Sequence, residues 1–229
     1  MQELVVNYQR GQRTKCLELL FKIKAMRILS VSAALALVML QAGCLTRSVT
    51  VAGSLPTPLV QRIPASIGIY YSEEFKSFEH KEALPESGSY RIDLGGQNLD
   101  FFRNLLGAMF AEVIEVNQPS VQEGDNLDAI LIPEIVKYGF LVPTVSTLTF
   151  FEASIEYQIT VLDRSGKDLG QLRIVGYGKA EGAMFGSGEA VGEATMLAIR
   201  DGGARIATEL SPRIAALLAD PEETKGLAQ

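Results

Sequence analysis

The chain is poor in the residues that carry most metal, redox and nucleophilic chemistry. Its 229 residues include one His, two Cys and no Trp. A metal centre built from His and Cys has almost no ligands to draw on, and a Cys–His nucleophile pair has one available histidine, His80. We therefore predict no metal, no cofactor and no catalytic residue, and a protein that is not an enzyme.

Basic residues are scarce beyond the N-terminal region. Residues 1–43 hold six of the 21 Lys and Arg but two of the 27 acids, so 15 basic and 25 acidic residues follow them. Because phosphate contacts need a basic face, this balance argues against a nucleic-acid partner. Hydrophobic residues make up 47% of the chain, and the length suffices for one domain with a substantial core.

The N-terminal region carries the pattern of a secretory signal. A basic stretch, KIKAMR at 22–27, precedes an apolar run at 28–40. That run is shorter than the ~20 residues of a membrane-spanning helix and is typical of a signal peptide. We predict a signal peptide at 1–43, cleaved between Gly43 and Cys44, with Met26 as a possible true start. The alternative is a plain transmembrane anchor with a chance Cys at its end.

The sequence LQAGC at 40–44 resembles the lipobox of bacterial lipoproteins. The resemblance implies that the Cys44 thiol is acylated, that the chain is cut before it, and that the new amino group is acylated too. Several acyl chains, palmitate among them, form a stable membrane anchor where one chain does not. Leu45 stands where inner-membrane members often have Asp, which implies the periplasmic face of the outer membrane. With Cys16 cleaved off, no second thiol remains for a disulfide.

The rest of the chain divides by composition. Residues 44–65 are rich in Ser, Thr and Gly, contain three prolines and show no helical period, so we predict a flexible tether. We predict a single α+β domain at 66–218 and a polar tail at 219–229.

Hydrophobic periodicity predicts the elements of that domain. In the first half of the domain we expect a buried strand at 66–71, a solvated loop at 73–87 that holds His80 and a possible edge strand at 90–94. A helix capped by Asn98 follows, with apolar residues over 101–113. In the second half we expect a strand at 128–140, a hairpin at 150–162 and 169–178, a helix at 189–209 and a separate helical piece at 212–218. This order predicts a mixed, mainly antiparallel sheet with helices packed on one face.

The hairpin has the strongest strand signal. Apolar residues alternate over 151–161, which places Ile155, Tyr157 and Ile159 on one face. We expect these three side chains to point inward, beneath the helix that carries Leu105 and Met109.

Two local patterns invite a ligand interpretation. Gly176, Gly178 and the Gly-rich stretch 182–188 precede the last helix, and a helix N-terminus can hold phosphate. However, no Lys follows as in a P-loop, and Glu181 and Glu189 flank the stretch, so a flexible loop is favoured. The acids Glu123, Asp125 and Asp128 lack the spacing of an EF-hand, which favours a solvated turn.

Two further segments leave alternatives open. Glu134, in LIPEIV, is the one acid on an apolar segment that would raise its pKa, and a pair of such carboxylates is enough for a glycosidase. Phe150 and Phe151 place aromatic rings on both faces of a strand, where core packing is favoured over an exposed docking patch.

The order of elements resembles the small α+β domain of several envelope proteins: the YajG-like lipoproteins, the LpoB-like activators of penicillin-binding proteins and the N-terminal domain of TolB. The segments that carry the resemblance are IGIYYSEEF at 67–75, FFRNLLGAMFAEVIEV at 101–116, DAILIPEI at 128–135, the hairpin and the last helix. It implies an assembly or regulatory role and no chemistry.

We therefore predict a lipid-anchored periplasmic binding or assembly module with an envelope protein as its partner. The alternative is an accessory lipoprotein of a transport or secretion system that carries a lipid or peptide in a groove under the last helix.

Overall fold

The structure is a computed structural model that describes residues 46–51, 53, 59–85, 87–121, 126–143, 150–182 and 187–218. Its elements, in chain order, are β1 (Thr46–Thr50), β2 (Ile63–Ile69), α1 (Glu73–Lys76), β3 (Glu79–Leu84), β4 (Gly88–Asp93), α2 (Gly95–Met109), β5 (Phe110–Glu115), β6 (Ala129–Leu141), β7 (Phe150–Asp163), β8 (Asp168–Glu181) and α3 (Ser187–Leu218). The predicted signal peptide, Gly43, Cys44 and the tail at 219–229 lie outside the described residues.

The strands form two sheets. The smaller has the order β1-β4-β3, and the larger has the order β5-β2-β6-β7-β8. β1 runs parallel to β4, and β2 runs parallel to both β5 and β6, whereas the remaining pairs are antiparallel. The predicted α+β class with mixed, mainly antiparallel pairing is confirmed, and the strands are divided between two sheets.

The inward face of β7 forms the centre of the core, as the alternation predicted. Ile155, Tyr157 and Ile159 are almost fully buried, while the residues between them are partly exposed. The Tyr157 ring lies 5.4 Å from the Phe102 ring of α2, and its hydroxyl donates to the buried Asn98 side chain. Asn98 therefore lies inside α2, which begins at Gly95, and the prediction that it caps the helix is wrong.

The segment predicted as a flexible tether contains a strand. Val49 and Val51 are 3% and 6% exposed, and Val49 packs against Gly192 of α3. All five residues of β1 pair with β4, from Thr46 opposite Ser89 onward. The tether prediction is therefore wrong for these residues. Their backbone pairs with β4, and the alternating side chains Val49 and Val51 are buried.

The predicted loop at 73–87 is also ordered into elements. Ser72 accepts a hydrogen bond from the Phe75 amide at 3.1 Å and so caps α1. The charged segment that follows forms β3 because it pairs along its whole length with β4. As a result β4 is the central strand of the smaller sheet and not an edge strand.

The last helix runs through Pro212 without a break. A proline inside a helix leaves the carbonyl four residues earlier, here that of Thr208, without its amide partner. Pro212 and Thr208 both lie on the exposed side of α3, so water can bond that carbonyl. The predicted division into two helices is therefore wrong. Among the described helices, none is long and apolar enough to cross a membrane.

Replacing Ile155 by Ala should lower the free energy of unfolding by about 2–5 kcal/mol, because the side chain is fully buried. The matched control is Ser154→Ala on the opposite face of the same strand, which should change stability by less than about 0.5 kcal/mol. Urea melts of both variants measure the difference. Equal midpoints for the two variants would contradict the assignment of the inward face.

Candidate functional site

One face of the larger sheet is covered by helices, and the other is not covered by any described element. Inward residues of β7 and β8 are buried against α2 and α3, whereas the residues between them face solvent. We call the outward side chains of the last three strands the open face. They include Glu134, Lys137, Gly139 and Leu141 on β6, Phe150, Glu152, Ser154, Glu156 and Gln158 on β7, and Arg173, Val175, Tyr177, Lys179 and Glu181 on β8.

Charges on the open face are paired across the strands. Arg173 lies 3.1 Å from the Glu156 carboxylate and also donates to Gln158. Gln158 in turn donates to Glu134 at 3.2 Å. With both signs of charge present in adjacent strands, this surface has no concentrated field that would attract a polyanion.

Large apolar side chains stand exposed among these pairs. Val175 and Tyr177 of β8 are 49% and 47% exposed. A hydrogen bond from the Tyr177 hydroxyl to the Glu152 carboxylate raises the pKa of that hydroxyl and holds the ring in place. Ser154 and Gly139 occupy the same row of the sheet, so small side chains leave one side of the Tyr177 ring open. Exposed tyrosine and arginine together are typical of protein interfaces.

Two stretches of the larger sheet that lack a neighbouring strand on one side are less suited to binding than its face. At the β8 edge, the Tyr177 amide donates to Asp201 of α3 at 3.0 Å. The pairing of β6 with β2 extends only to Leu131, whose carbonyl accepts from the Tyr70 amide, and alternation turns the backbone of Pro133 to the same, unpaired side. Pro133 has no N–H to offer, and a bulge follows between Ile135 and Lys137. Capped, proline-bearing and bulged edges resist the addition of another strand.

The Gly176 and Gly178 pair is a packing contact. A Cβ at Gly176 would lie 2.1 Å from the Ala198 carbonyl oxygen, and one at Gly178 would lie 1.9 Å from that of Ala194. The α3 backbone therefore rests directly on β8. Both glycines lie within the strand predicted at 169–178, so they are not part of the flexible loop predicted before the last helix, and no groove exists under α3 where it crosses this strand.

Two grooves elsewhere on the described surface have mixed linings. One of about 550 Å³ lies beside α1, between Phe75 and Arg173, and includes Glu134. The other, of about 370 Å³, runs beside α3 and includes Glu189, Glu193 and Arg200. Charged side chains in both linings make them poor fits for an acyl chain, which requires an apolar lining.

His80 lies in β3 and not in a solvated loop. Its ring packs edge-on against Tyr138, with 5.0 Å between the ring centroids, and Nε2 lies 3.0 Å from the Glu82 carboxylate. Burial raises the pKa of the Tyr138 hydroxyl to about 12, although a hydrogen bond with Thr195 opposes this. Glu134 is exposed and accepts a hydrogen bond from Gln158, so the buried apolar surroundings predicted for it are not present.

Asp128 joins the middle of β2 to the β7–β8 turn. Its carboxylate accepts from the Ser66 amide at 2.9 Å and is paired with Arg164. Partial burial raises the pKa of Asp128, but the Ser66 amide and the Arg164 guanidinium outweigh it and hold the pKa below its usual value. Glu123 and Asp125 lie outside the described residues. Among those that are described, no group of three His, Cys, Asp or Glu is placed to hold a metal ion.

The two adjacent phenylalanines have different surroundings. Phe151 is buried in the core, whereas the Phe150 ring faces outward with the Lys179 ammonium 3.9 Å from its centroid. The core assignment therefore holds for Phe151, while the Phe150 ring adds apolar surface at one end of the open face.

Replacing Asp128 by Asn should destabilise the protein at pH 7 and have little effect at pH 3. A carboxylate whose folded pKa is depressed contributes stability above its unfolded value, here 3.8, and loses it as the pH falls through the folded pKa. Urea midpoints at both pH values measure this. The exposed Asp100→Asn is the control for loss of one negative charge. A D128N deficit that is as large at pH 3 as at pH 7 would contradict the prediction.

Comparisons with known proteins show similarity in fold. No family model matches the chain, and no curated protein matches it. A Xanthomonas campestris protein of the family DUF330 has a TM-score of 0.50 and 11% identity, covering 75% of this chain and 99% of its own. A Helicobacter pylori protein described as a neuraminyllactose-binding hemagglutinin homolog has a TM-score of 0.47 and 13% identity, covering 70% and 92%. A minor lipoprotein from Acinetobacter baumannii has a TM-score of 0.41 and 9% identity, covering 67% and 96%.

Proposed function

We propose that this protein is a lipid-anchored, non-enzymatic binding module of the bacterial envelope that docks on another envelope protein through the open face. The lipobox at 40–44 supports anchoring at Cys44, on the periplasmic side of the outer membrane. The resemblance to the YajG-like, LpoB-like and TolB N-terminal domains supports an assembly role. The observation that carries the docking proposal is the open face itself, left uncovered by the described elements while the opposite face is buried.

The chemistry of the open face favours a protein partner. Its charges are of both signs and largely paired, and exposed Tyr177 and Val175 stand between them. Such a surface offers a rigid aromatic anchor, hydrogen-bonding groups and a flat sheet backing, which together suit the core of a protein interface. The acidic balance of residues 44–229 disfavours nucleic acid.

The carrier alternative has less support. It requires a groove under the last helix, and there the α3 backbone contacts Gly176 and Gly178 of β8. The groove that flanks α3 instead carries Glu189, Glu193 and Arg200. A carrier of acyl chains would have to expose these charges to its cargo.

Photo-crosslinking from defined positions tests the docking proposal. A photoreactive amino acid is placed at Val175 or at Tyr177 in the lipidated protein in cells, with exposed Thr208 of α3 as the control position. We expect both open-face positions to crosslink to the same envelope protein, identified by mass spectrometry, and the control not to.

The variant Arg173→Glu sharpens this test. It places a like charge beside Glu156 and should lower the crosslinking yield about tenfold, which corresponds to about 1.4 kcal/mol. Its urea midpoint should remain close to that of the unchanged protein, since an exposed pair contributes little stability. Equal yields at all three positions, or a yield that Arg173→Glu leaves unchanged, would overturn docking through the open face.

A further inference from the structure

The groove of about 550 Å³ beside α1 is continuous with the open face. Three of its lining residues, Glu134, Gln158 and Arg173, are outward residues of the open face and lie in one row across β6, β7 and β8. We call this site the α1 groove. Its volume is within the range of pockets that enclose a ligand.

The α1 groove exists because β6 extends beyond its neighbour β2. Pairing between the two strands ends at Leu131, whereas β6 continues to Leu141. α1 follows β2 in the chain and lines the groove opposite β6. Since a helix does not approach the side of a strand as closely as a second strand does, space remains between them.

Both walls of the α1 groove are held in place by backbone contacts. The amides of Leu94 and Gly95 donate to the Phe78 carbonyl at 3.0 and 3.1 Å. A Cβ at Gly95 would lie 2.0 Å from the Lys76 carbonyl oxygen, so the end of α1 rests directly on the start of α2. On the other side, β6 is paired with β7 along its whole length. A site formed in advance loses less conformational entropy when it is occupied.

Part of the lining is apolar and accessible. Val136 is the extra residue of the bulge between Ile135 and Lys137, and its side chain is 45% exposed. Bulges commonly redirect a side chain next to a functional site. The half-buried Phe78 lines the same groove. An apolar side chain of an occupant would remove both of these surfaces from water.

The charged part of the lining has an excess of carboxylates. Its one guanidinium, that of Arg173, is paired with Glu156 at 3.1 Å. Within the described part of the chain, no lysine or arginine forms an ion pair with Glu74 or Glu134. These two carboxylates favour a positive charge on the occupant and disfavour an anion or an acyl chain.

We propose that the α1 groove receives a segment of the envelope partner in which an apolar side chain is adjacent to a Lys or Arg. The apolar side chain packs on Val136 and Phe78, and the basic group faces the carboxylates of Glu74 and Glu134. Recognition is by side chains and not by strand addition, which Pro133 and the bulge oppose. The inference rests on the proposed function, because a partner that covers the open face is the occupant whose chain reaches the groove.

Photo-crosslinking from inside the groove tests the proposal. The photoreactive amino acid is placed at Val136 in the full lipidated protein in cells, beside the positions Val175, Tyr177 and Thr208 used above. We expect position 136 to crosslink to the same envelope protein as positions 175 and 177. Mass spectrometry of the crosslinked peptide should show an apolar residue next to a Lys or Arg.

The outcomes at these positions separate the two proposals. If positions 175 and 177 crosslink and position 136 yields no more than the Thr208 control, the partner does not enter the groove, and docking through the open face stands. A small-molecule adduct at position 136, or a crosslinked segment without a basic residue, would also overturn the proposed occupant. Absence of crosslinks at positions 175 and 177 would refute the docking proposal and this one with it.

The variant Glu74→Lys tests the role of charge, since Glu74 lies on α1 and not on the open face. The yield at position 136 should fall about tenfold, while the yields at positions 175 and 177 change less than about twofold. Glu73→Lys is the matched control: it makes the same change at the adjacent residue, which does not line the groove and is paired only with the exposed Lys76. It should retain most of the yield at position 136.

A reciprocal exchange completes the test. Replacing the basic residue of the crosslinked partner segment by Glu should restore the yield of the Glu74→Lys protein at position 136. Urea midpoints of the Glu74→Lys and Glu73→Lys proteins should match that of the unchanged protein, because both positions are exposed. Equal losses of yield from the two variants, or no loss from Glu74→Lys, would overturn a basic occupant of the α1 groove.

Discussion

The Cys44→Ser protein is expected to lose its lipid and to accumulate as an uncleaved precursor. A serine hydroxyl is a far weaker nucleophile than a thiol toward a diacylglycerol donor, and in lipobox proteins cleavage follows lipidation. Each acyl methylene buried in a bilayer contributes about 0.8 kcal/mol, so loss of two or three chains removes the anchor altogether. Palmitate labelling, intact mass and membrane fractionation measure the result.

Cys16→Ser is the matched control for this change. It removes the other thiol of the chain, which precedes the predicted cleavage position, and it should leave labelling and cleavage unchanged. A Cys44→Ser protein that is still cut before residue 44 and still labelled with palmitate would show that the lipobox assignment is wrong.

The second large effect is expected from Gly178→Ala. A single methyl group there would lie 1.9 Å from the Ala194 carbonyl oxygen, a backbone atom that cannot move without the helix. We expect α3 to be forced off β8 at a cost of about 3 kcal/mol or more, the upper end of the range for overpacked cores. Urea denaturation followed by circular dichroism measures the loss.

Gly107→Ala, in α2, is the matched control. No atom lies within 4 Å of a Cβ at this position, and alanine is favoured over glycine inside a helix by up to about 1 kcal/mol. This variant should be neutral or slightly more stable. If Gly178→Ala lowers the free energy of unfolding by less than about 1 kcal/mol, α3 does not rest on β8, and a groove can lie beneath it.

The hairpin was predictable because its signals are local. Apolar residues at every second position over Phe151–Val161 specify one buried face. The residues of the turn stabilise it through their own hydrogen bonds and backbone conformation. Asp163 accepts hydrogen bonds from the amides of Ser165 and Lys167 at 2.7 and 2.9 Å, and Gly166 adopts a φ of +80°. Each of these features depends on residues within a few positions of one another, so the sequence alone contains them.

The smaller sheet was not predictable for the opposite reason. Thr46 pairs with Ser89, 43 positions away. Neither β1 nor β3 contains enough apolar residues to be recognised as a strand from the sequence pattern. A short polar segment becomes a strand when a partner is already in place, and that partner is set by the tertiary arrangement. The same reason explains why the sequence does not reveal the buried position of Asn98, since its partner Tyr157 lies 59 positions further on.

The predicted lipid anchor follows from the sequence alone, whereas the proposed binding surface depends on the tertiary structure. The lipobox-like motif at 40–44 is contiguous in sequence, so the prediction for Cys44 does not depend on the fold. The alternation in β7 shows that its two faces differ. Which face of the sheet stays exposed is determined by α3, which crosses β8 at Gly176 and Gly178. Close backbone approach selects glycine just as a flexible loop does, and only the position of the helix distinguishes the two. That crossing leaves Val175 and Tyr177 on the open face, because a strand can turn only one face toward the helices that cover it.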